Sequence, residues 1–292
     1  MGILIGSGFA ETITEDIISG RKNYGNSFET IKKTKSKSFF KELQKQKINF
    51  PKISKQPKKN GKWLIKDYQS FGGTKVKTFK GSEYINERSY LQKFIDGDLI
   101  SVQFFVENKN IEILAICDQV IKNTREGFFL IKSLITKNIK IGLVKKIYNL
   151  VKKISKTFSL KGVNNLDLIL QGRKIFLLEV NPRPGLSTNI LHSNYKNIFK
   201  IKSPVKKITY SGYYSSTIIY ARKEIKINKT KQIFLKKNYF FSKLFSELPN
   251  LGDIIKVDEP ICLLHLKSKD RILLNKKIEK IQSEFLKKIE EI

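Results

Sequence analysis

Asn165-Leu166-Asp167-Leu168-Ile169-Leu170-Gln171-Gly172-Arg173-Lys174-Ile175-Phe176-Leu177-Leu178-Glu179-Val180-Asn181-Pro182-Arg183-Pro184-Gly185 is the stretch from which the rest of the chain can be read. Two apolar runs, 165–170 and 174–180, flank Gln171-Gly172, which is the pattern of a β-hairpin with its turn at the glycine. Glu179 and Asn181 are two residues apart, so strand alternation sends both side chains to one face, and Asp167 reaches that face across the pair. Acids set in runs this hydrophobic are costly unless something compensates them. Two carboxylates and an amide oxygen make a hard-oxygen set of the kind magnesium selects, with water and substrate phosphates completing the shell. Pro182 and Pro184 stop the strand and fix Arg183, whose guanidinium can fork onto a phosphate.

Working outward, Trp63-Leu64-Ile65-Lys66 reads as an apolar strand that ends on a lysine, followed by Gly72-Gly73. A lysine there can set its ammonium on a phosphate, and a glycine pair lets backbone amides approach phosphate oxygens. Gln92-Lys93-Phe94-Ile95-Asp96-Gly97 offers backbone edges and an apolar slot to a base, inside a buried strand over 90–107 that breaks at Asp96-Gly97-Asp98. Phe39, Phe40 and Leu43 share one face of a helix expected over 35–47, and the clearest helical stripe runs over 143–158. The Lys-rich stretch 225–250 is weakly patterned and predicts a partly mobile segment. A strand at 260–266 and an amphipathic helix over 273–291 close the chain, and no internal repeat is present.

Composition narrows the class. With 292 residues there is ample apolar material for a core. No run of 18 or more apolar residues exists, so no membrane-spanning helix is expected and a membrane is not expected among the partners. The opening residues carry no secretory pattern, and a cytoplasmic location is expected. Cys117 and Cys262 read as small buried hydrophobes, and His192 and His265 are too isolated for a zinc site. The formal net charge of +31 suggests a polyanion partner. Yet the excess is nearly all lysine, arginine is scarce, and no basic motif is interleaved with aromatics. Nucleic acid is therefore not the expected partner.

The order of these parts resembles the ATP-grasp superfamily over roughly residues 35 to 190. The most specific element is Glu179-Val180-Asn181-Pro182-Arg183 beside Asn165-Leu166-Asp167. Ile218-Ile219-Tyr220-Ala221, Leu248-Pro249-Asn250-Leu251-Gly252-Asp253 and Glu259-Pro260-Ile261-Cys262 are similar to the tail of an uncharacterised ATP-grasp carboligase group. Some members of that group are associated with biosynthesis of methanopterin- and methanofuran-type one-carbon carriers. The resemblance implies an α+β fold in which two subdomains grip the nucleotide. A remnant of a preceding domain would occupy 1–34, the ATP-grasp unit 35–200, and a C-terminal extension 201–292. It also implies ATP and magnesium as cofactors and small-molecule carboxylate and amine substrates, and it leaves a homodimer open.

By resemblance, Lys66 contacts phosphates, with Lys37 a second phosphate lysine, and Gly72 and Gly73 form the lid loop. Gln92, Phe94 and Ile95 line the adenine hinge. Lys93 stands where an acidic hinge residue is common, which leaves Asp98 as the ribose partner. Asp167, Glu179 and Asn181 bind magnesium, and Arg183 steadies the transferring phosphoryl group. The rival expectation is a non-catalytic nucleotide-binding protein descended from such a ligase.

Overall fold

The computed structural model describes residues 2–6, 19–56, 61–68, 76–108, 110–124, 129–191 and 210–292. A short parallel pair, β1 (Gly2–Ile3) and β2 (Lys22–Asn23), comes first. Helices α1 (Phe28–Thr34) and α2 (Lys37–Lys45) follow. The helix that the sequence suggests over 35–47 is α2, and a helix the pattern does not announce, α1, precedes it across Lys35-Ser36. Ser27 caps α1 by accepting from the Thr30 amide, and the chain turns out of the helix at Lys35 before it restarts.

Next come β3 (Ile53–Ser54), β4 (Trp63–Asp67), β5 (Lys77–Thr78) and β6 (Ser89–Lys93), an antiparallel sheet in the order β3-β6-β4-β5. Trp63, Ile65 and Leu91 point to one side and form a small core of their own. Alternation then sends Leu64, Lys66, Tyr90 and Gln92 to the opposite side.

The remaining strands include β7 (Asp98–Glu107), β8 (Asn110–Asn123) and β9 (Phe129–Thr136), then α3 (Ile141–Phe158), β10 (Gly162–Gln171) and β11 (Lys174–Asn181). After the short helix α4 (Thr188–Leu191) come β12 (Tyr213–Tyr220), β13 (Ile225–Lys226), α5 (Lys229–Tyr239), β14 (Phe245–Ser246), β15 (Ile254–Ile255), β16 (Pro260–Ser268) and α6 (Arg271–Glu291). An eight-stranded antiparallel sheet runs β11-β10-β7-β8-β9-β12-β16-β14. The architecture is α+β, as the sequence suggests.

One face of the large sheet carries Ile100, Val102, Phe104, Leu166, Leu168, Leu177 and Val180. They pack against Phe39, Phe40 and Leu43 of α2 and Ile147, Val151, Ile154 and Phe158 of α3. This burial pins the strands and leaves the alternate positions Ser101, Asn165 and Asp167 on the other face. The outer edge of β11 is not bare, because the Leu177 amide donates to the Asn49 carbonyl at 2.9 Å. Gly97 seats the linker between the two sheets on the hairpin. A Cβ there would lie 2.5 Å from the Leu170 carbonyl oxygen, so any side chain would force the two apart.

A second core gathers Ile219, Ile227, Leu235, Phe245, Leu264, Phe285 and Ile289. Helix α5 lies within the stretch whose weak pattern suggests mobility. Its order comes from Leu235, buried in this core, and from the Asn228 cap, whose side chain accepts from the Lys231 amide at 2.8 Å. Asn228→Ala should lower stability by about 1 kcal/mol in urea denaturation. Both cysteines are free and buried. No helix among the described residues is long and apolar enough to cross a membrane.

Candidate active site

The four-stranded sheet and the polar face of the large sheet enclose an open cleft of about 1200 Å³, solvent-filled space included. At one end the walls are apolar: Phe94, Ile95, Leu99, Ile121, Phe129, Ile131, Ile169 and Leu178. At the other stand Lys35, Lys66, Asp167 and Glu179. A flat hydrophobic slot joined to a charged end is the shape of a site for a base carrying phosphates.

The hairpin register sets the charged end. Asp167 lies directly opposite Glu179, Asn165 opposite Asn181 and Leu166 opposite Val180. Between Asp167↔Glu179 and Leu168↔Leu177 the ladder carries a bulge at Leu178. The extra residue lets Leu178 and Glu179, consecutive in sequence, both face the cleft, while Leu177 and Val180 stay in the core behind. An apolar wall and a carboxylate thus sit side by side, which strict alternation forbids.

Asp167 is held by three amides. Its Oδ1 accepts from Gln119 Nε2 at 2.6 Å and Asn165 Nδ2 at 3.0 Å, and its Oδ2 accepts from Asn181 Nδ2 at 3.0 Å. Asn165 is oriented in turn by Ser101, whose hydroxyl donates to its Oδ1 at 2.8 Å. Burial, and after it the neighbouring Glu179 charge, push the Asp167 carboxyl up to about 6, against the pull of Lys35 and Arg183. An unfolded chain holds this group near 3.9, so the folded protein binds the proton more tightly and loses stability as pH rises from about 4 through 6. Two pH units, discounted for water in the cleft, amount to about 2 kcal/mol. Asp167→Asn lacks that slope. Urea denaturation at pH 4.5 and 7.5 should show the variant gaining about that much on the wild type between the two.

Lys35 is the residue that sequence reasoning missed. Its ammonium contacts Glu179 Oε1 and donates to Asn181 Oδ1 at 3.1 Å, with only 7% of its side chain exposed. The signal for it was the break between α1 and α2, which frees Lys35 to turn inward. Lys37, the residue suggested from sequence as a second phosphate lysine after Lys66, is exposed on the first turn of α2 and does not line the cleft. Lys66 projects from β4 into the charged end. Burial lowers its pKa, opposed by the charges of Glu179 and Asp167 and reinforced by Lys35.

Gln92, Phe94 and Ile95, suggested from sequence for the adenine hinge, line the cleft. Asp98 does not. It is exposed and accepts from Lys137 at 3.1 Å, drawn to a lysine at the end of β9 that also holds Asp118 at 2.8 Å. Gly72 and Gly73 lie outside the described residues. Arg183 is buried just past the hairpin, where it donates to the Pro184 carbonyl at 3.1 Å and Asn181 Oδ1 at 3.4 Å.

Among the described residues no three His, Cys, Asp or Glu side chains form a metal cage. The hairpin instead offers two carboxylates and an amide oxygen, an incomplete set that suits an ion sharing its shell with phosphates. The Lys35 ammonium already contacts two of these oxygens and stands in for cationic charge there.

A family model for the ATP-grasp domain matches residues 33–187. No match was found among curated proteins. Among solved structures, an L-amino acid ligase from Bacillus licheniformis is 14% identical with a TM-score of 0.65, over 92% of this chain and 76% of that one. Biotin carboxylase from Campylobacter jejuni, in a β-γ-ATP complex, is 13% identical with a TM-score of 0.66, over 95% and 73%. N5-carboxyaminoimidazole ribonucleotide synthetase from Thermotoga maritima is 13% identical with a TM-score of 0.64, over 94% and 77%. At such identities the likeness is one of fold. The family match spans more than half of the chain and contains the whole hairpin, and on that ground the chain belongs to the ATP-grasp family.

Proposed function

We propose that this chain is an ATP- and magnesium-dependent ligase that joins a small-molecule carboxylate to an amine through an acylphosphate, in the setting of cofactor biosynthesis. The observation that carries this reading is the Asp167–Glu179 pair with Asn181, faced by Lys35 and Lys66 at the end of an apolar slot. The structural relatives named above, an amino acid ligase and a carboxylase in a β-γ-ATP complex among them, support the direction of the chemistry.

In this reading the apolar slot holds the base, and Lys66 and Lys35 neutralise phosphate oxygens. Lys37 could assist them only by turning inward from its exposed position. Asp167, Glu179 and Asn181 would hold magnesium, which supplies charge neutralisation on the phosphate chain. The three amides on Asp167 fix its oxygens in place, so little reorganisation is needed when cationic charge arrives. Arg183, anchored beside Asn181, steadies the phosphoryl group as it moves. A substrate carboxylate oxygen attacks the γ-phosphorus and ADP leaves. The amine then attacks the acyl carbon, phosphate leaves, and an amide bond remains. No protein nucleophile is needed.

The test is ADP release across a panel of carboxylates and amines, with hydroxylamine added to trap the acylphosphate as a hydroxamate. Release that depends on a carboxylate, together with hydroxamate, is the expected result. Tight ATP binding without ADP release under every pairing would favour a non-catalytic nucleotide-binding protein instead.

A further inference from the structure

Gln92 sits in the cleft wall with 1% of its surface exposed, and its Nε2 has no hydrogen-bond partner among the described residues. Its position follows from alternation. Leu91 goes behind the sheet with Trp63 and Ile65, so Gln92 and its cross-strand partner Leu64 face the cleft. A buried amide group left unpaired is costly in the empty protein, so such a group calls for a ligand that completes it. The neighbouring backbone amides are already used: Lys93 N donates to the Lys52 carbonyl at 2.8 Å and Phe94 N to the Lys62 carbonyl at 2.9 Å. Phe94, Ile95, Leu99, Ile121 and Phe129 offer flat apolar contact, which suits any purine and distinguishes none.

We propose that the Gln92 carboxamide reads the substituent at position 6 of the purine, and that the cleft therefore accepts 6-oxopurine nucleoside triphosphates alongside ATP. This rests on the reading of the cleft as an ATP site. A carboxamide carries a donor and an acceptor on one rotor. With Oε1 toward the base it accepts from a 6-amino group. Turned by half a revolution, it donates from Nε2 to a 6-oxo group. A carboxylate at the same place accepts only, and would set two acceptors against each other with a 6-oxopurine. Gln92 is thus a relaxed reader where an acid would be a strict one.

The experiment titrates the full chain with the magnesium complexes of ATP, GTP and ITP, for the wild type, Gln92→Glu and Gln92→Met. In the wild type GTP or ITP should bind within about tenfold of ATP, the range left when no directional group rejects the analogue. In Gln92→Glu the ratio should move toward ATP by about tenfold or more. In Gln92→Met all three nucleotides should weaken with little change in ratio. A ratio compares ligands on one variant, so loss of folded material does not imitate the effect. A wild type that prefers ATP by more than about tenfold, or a ratio that Gln92→Glu leaves unmoved, overturns the proposal. Failure of the wild type to bind any of the three overturns the reading of the cleft itself.

Discussion

Glu179→Gln should keep the fold and lose magnesium-dependent nucleotide affinity. Loss of a group that merely orients a metal ligand costs roughly 10–100-fold, and removal of a ligand itself should cost at least the upper end of that range. Glu179 faces the cleft from the bulged strand, opposite Asp167 and against the Lys35 ammonium. The amide that replaces it is nearly isosteric, so Leu177 and Val180 stay packed behind it. What disappears is one negative charge, and with it both a hard oxygen donor and the counter-charge for Lys35. Calorimetric titration with ATP, with and without magnesium, reads the effect. The wild type should show strong metal dependence and the variant little. Equal metal dependence in the two would remove Glu179 from the metal site.

Lys66→Met should separate binding from stability. A hydrogen bond to a charged group contributes about 1.5–3 kcal/mol, so nucleotide affinity should fall roughly ten- to hundredfold. The empty protein should melt no lower than the wild type. Burial lowers the Lys66 pKa despite the two nearby acids, so the folded state disfavours the charged form. The sign of the linkage follows. The protonated lysine costs stability below its depressed folded value, and the cost fades as pH rises through that value. Methionine keeps the apolar stem and drops the charge, so its advantage should be greatest near neutral pH and shrink in alkali. A variant that melts well below the wild type would show that Lys66 is a structural cation rather than a ligand-binding one.

The parts legible in the sequence were those written locally. The hairpin, with Asp167, Glu179 and Asn181, sits in one short stretch where alternation and the turn residues agree. Lys66 and Gln92 follow from the same parity on β4 and β6. Lys35 was hidden because its direction depends on a helix break that the lysine-rich composition obscures. The Gln119 contact with Asp167 joins β8 to β10 across β7, where the small Ser101 lies beside Asp167. No sequence pattern encodes that order of strands. Asp98 lies outside the cleft lining for the complementary reason, since its partner Lys137 arrives from the end of β9. Helix α5 lacked a clear stripe because one buried residue, Leu235, and a cap hold it in place.

The bulge at Leu178 is a point of slack in an otherwise fixed register. Loss of that single codon would restore a regular ladder, with Leu168 still opposite Leu177 and Asp167 still opposite Glu179. The two carboxylates would survive, and the cleft would lose the one apolar wall residue that this strand contributes. A loss at Val180 has no such slack and would turn Asn181 toward the core. Within this one strand, then, a carboxylate and the apolar side chain beside it are separable by a single residue.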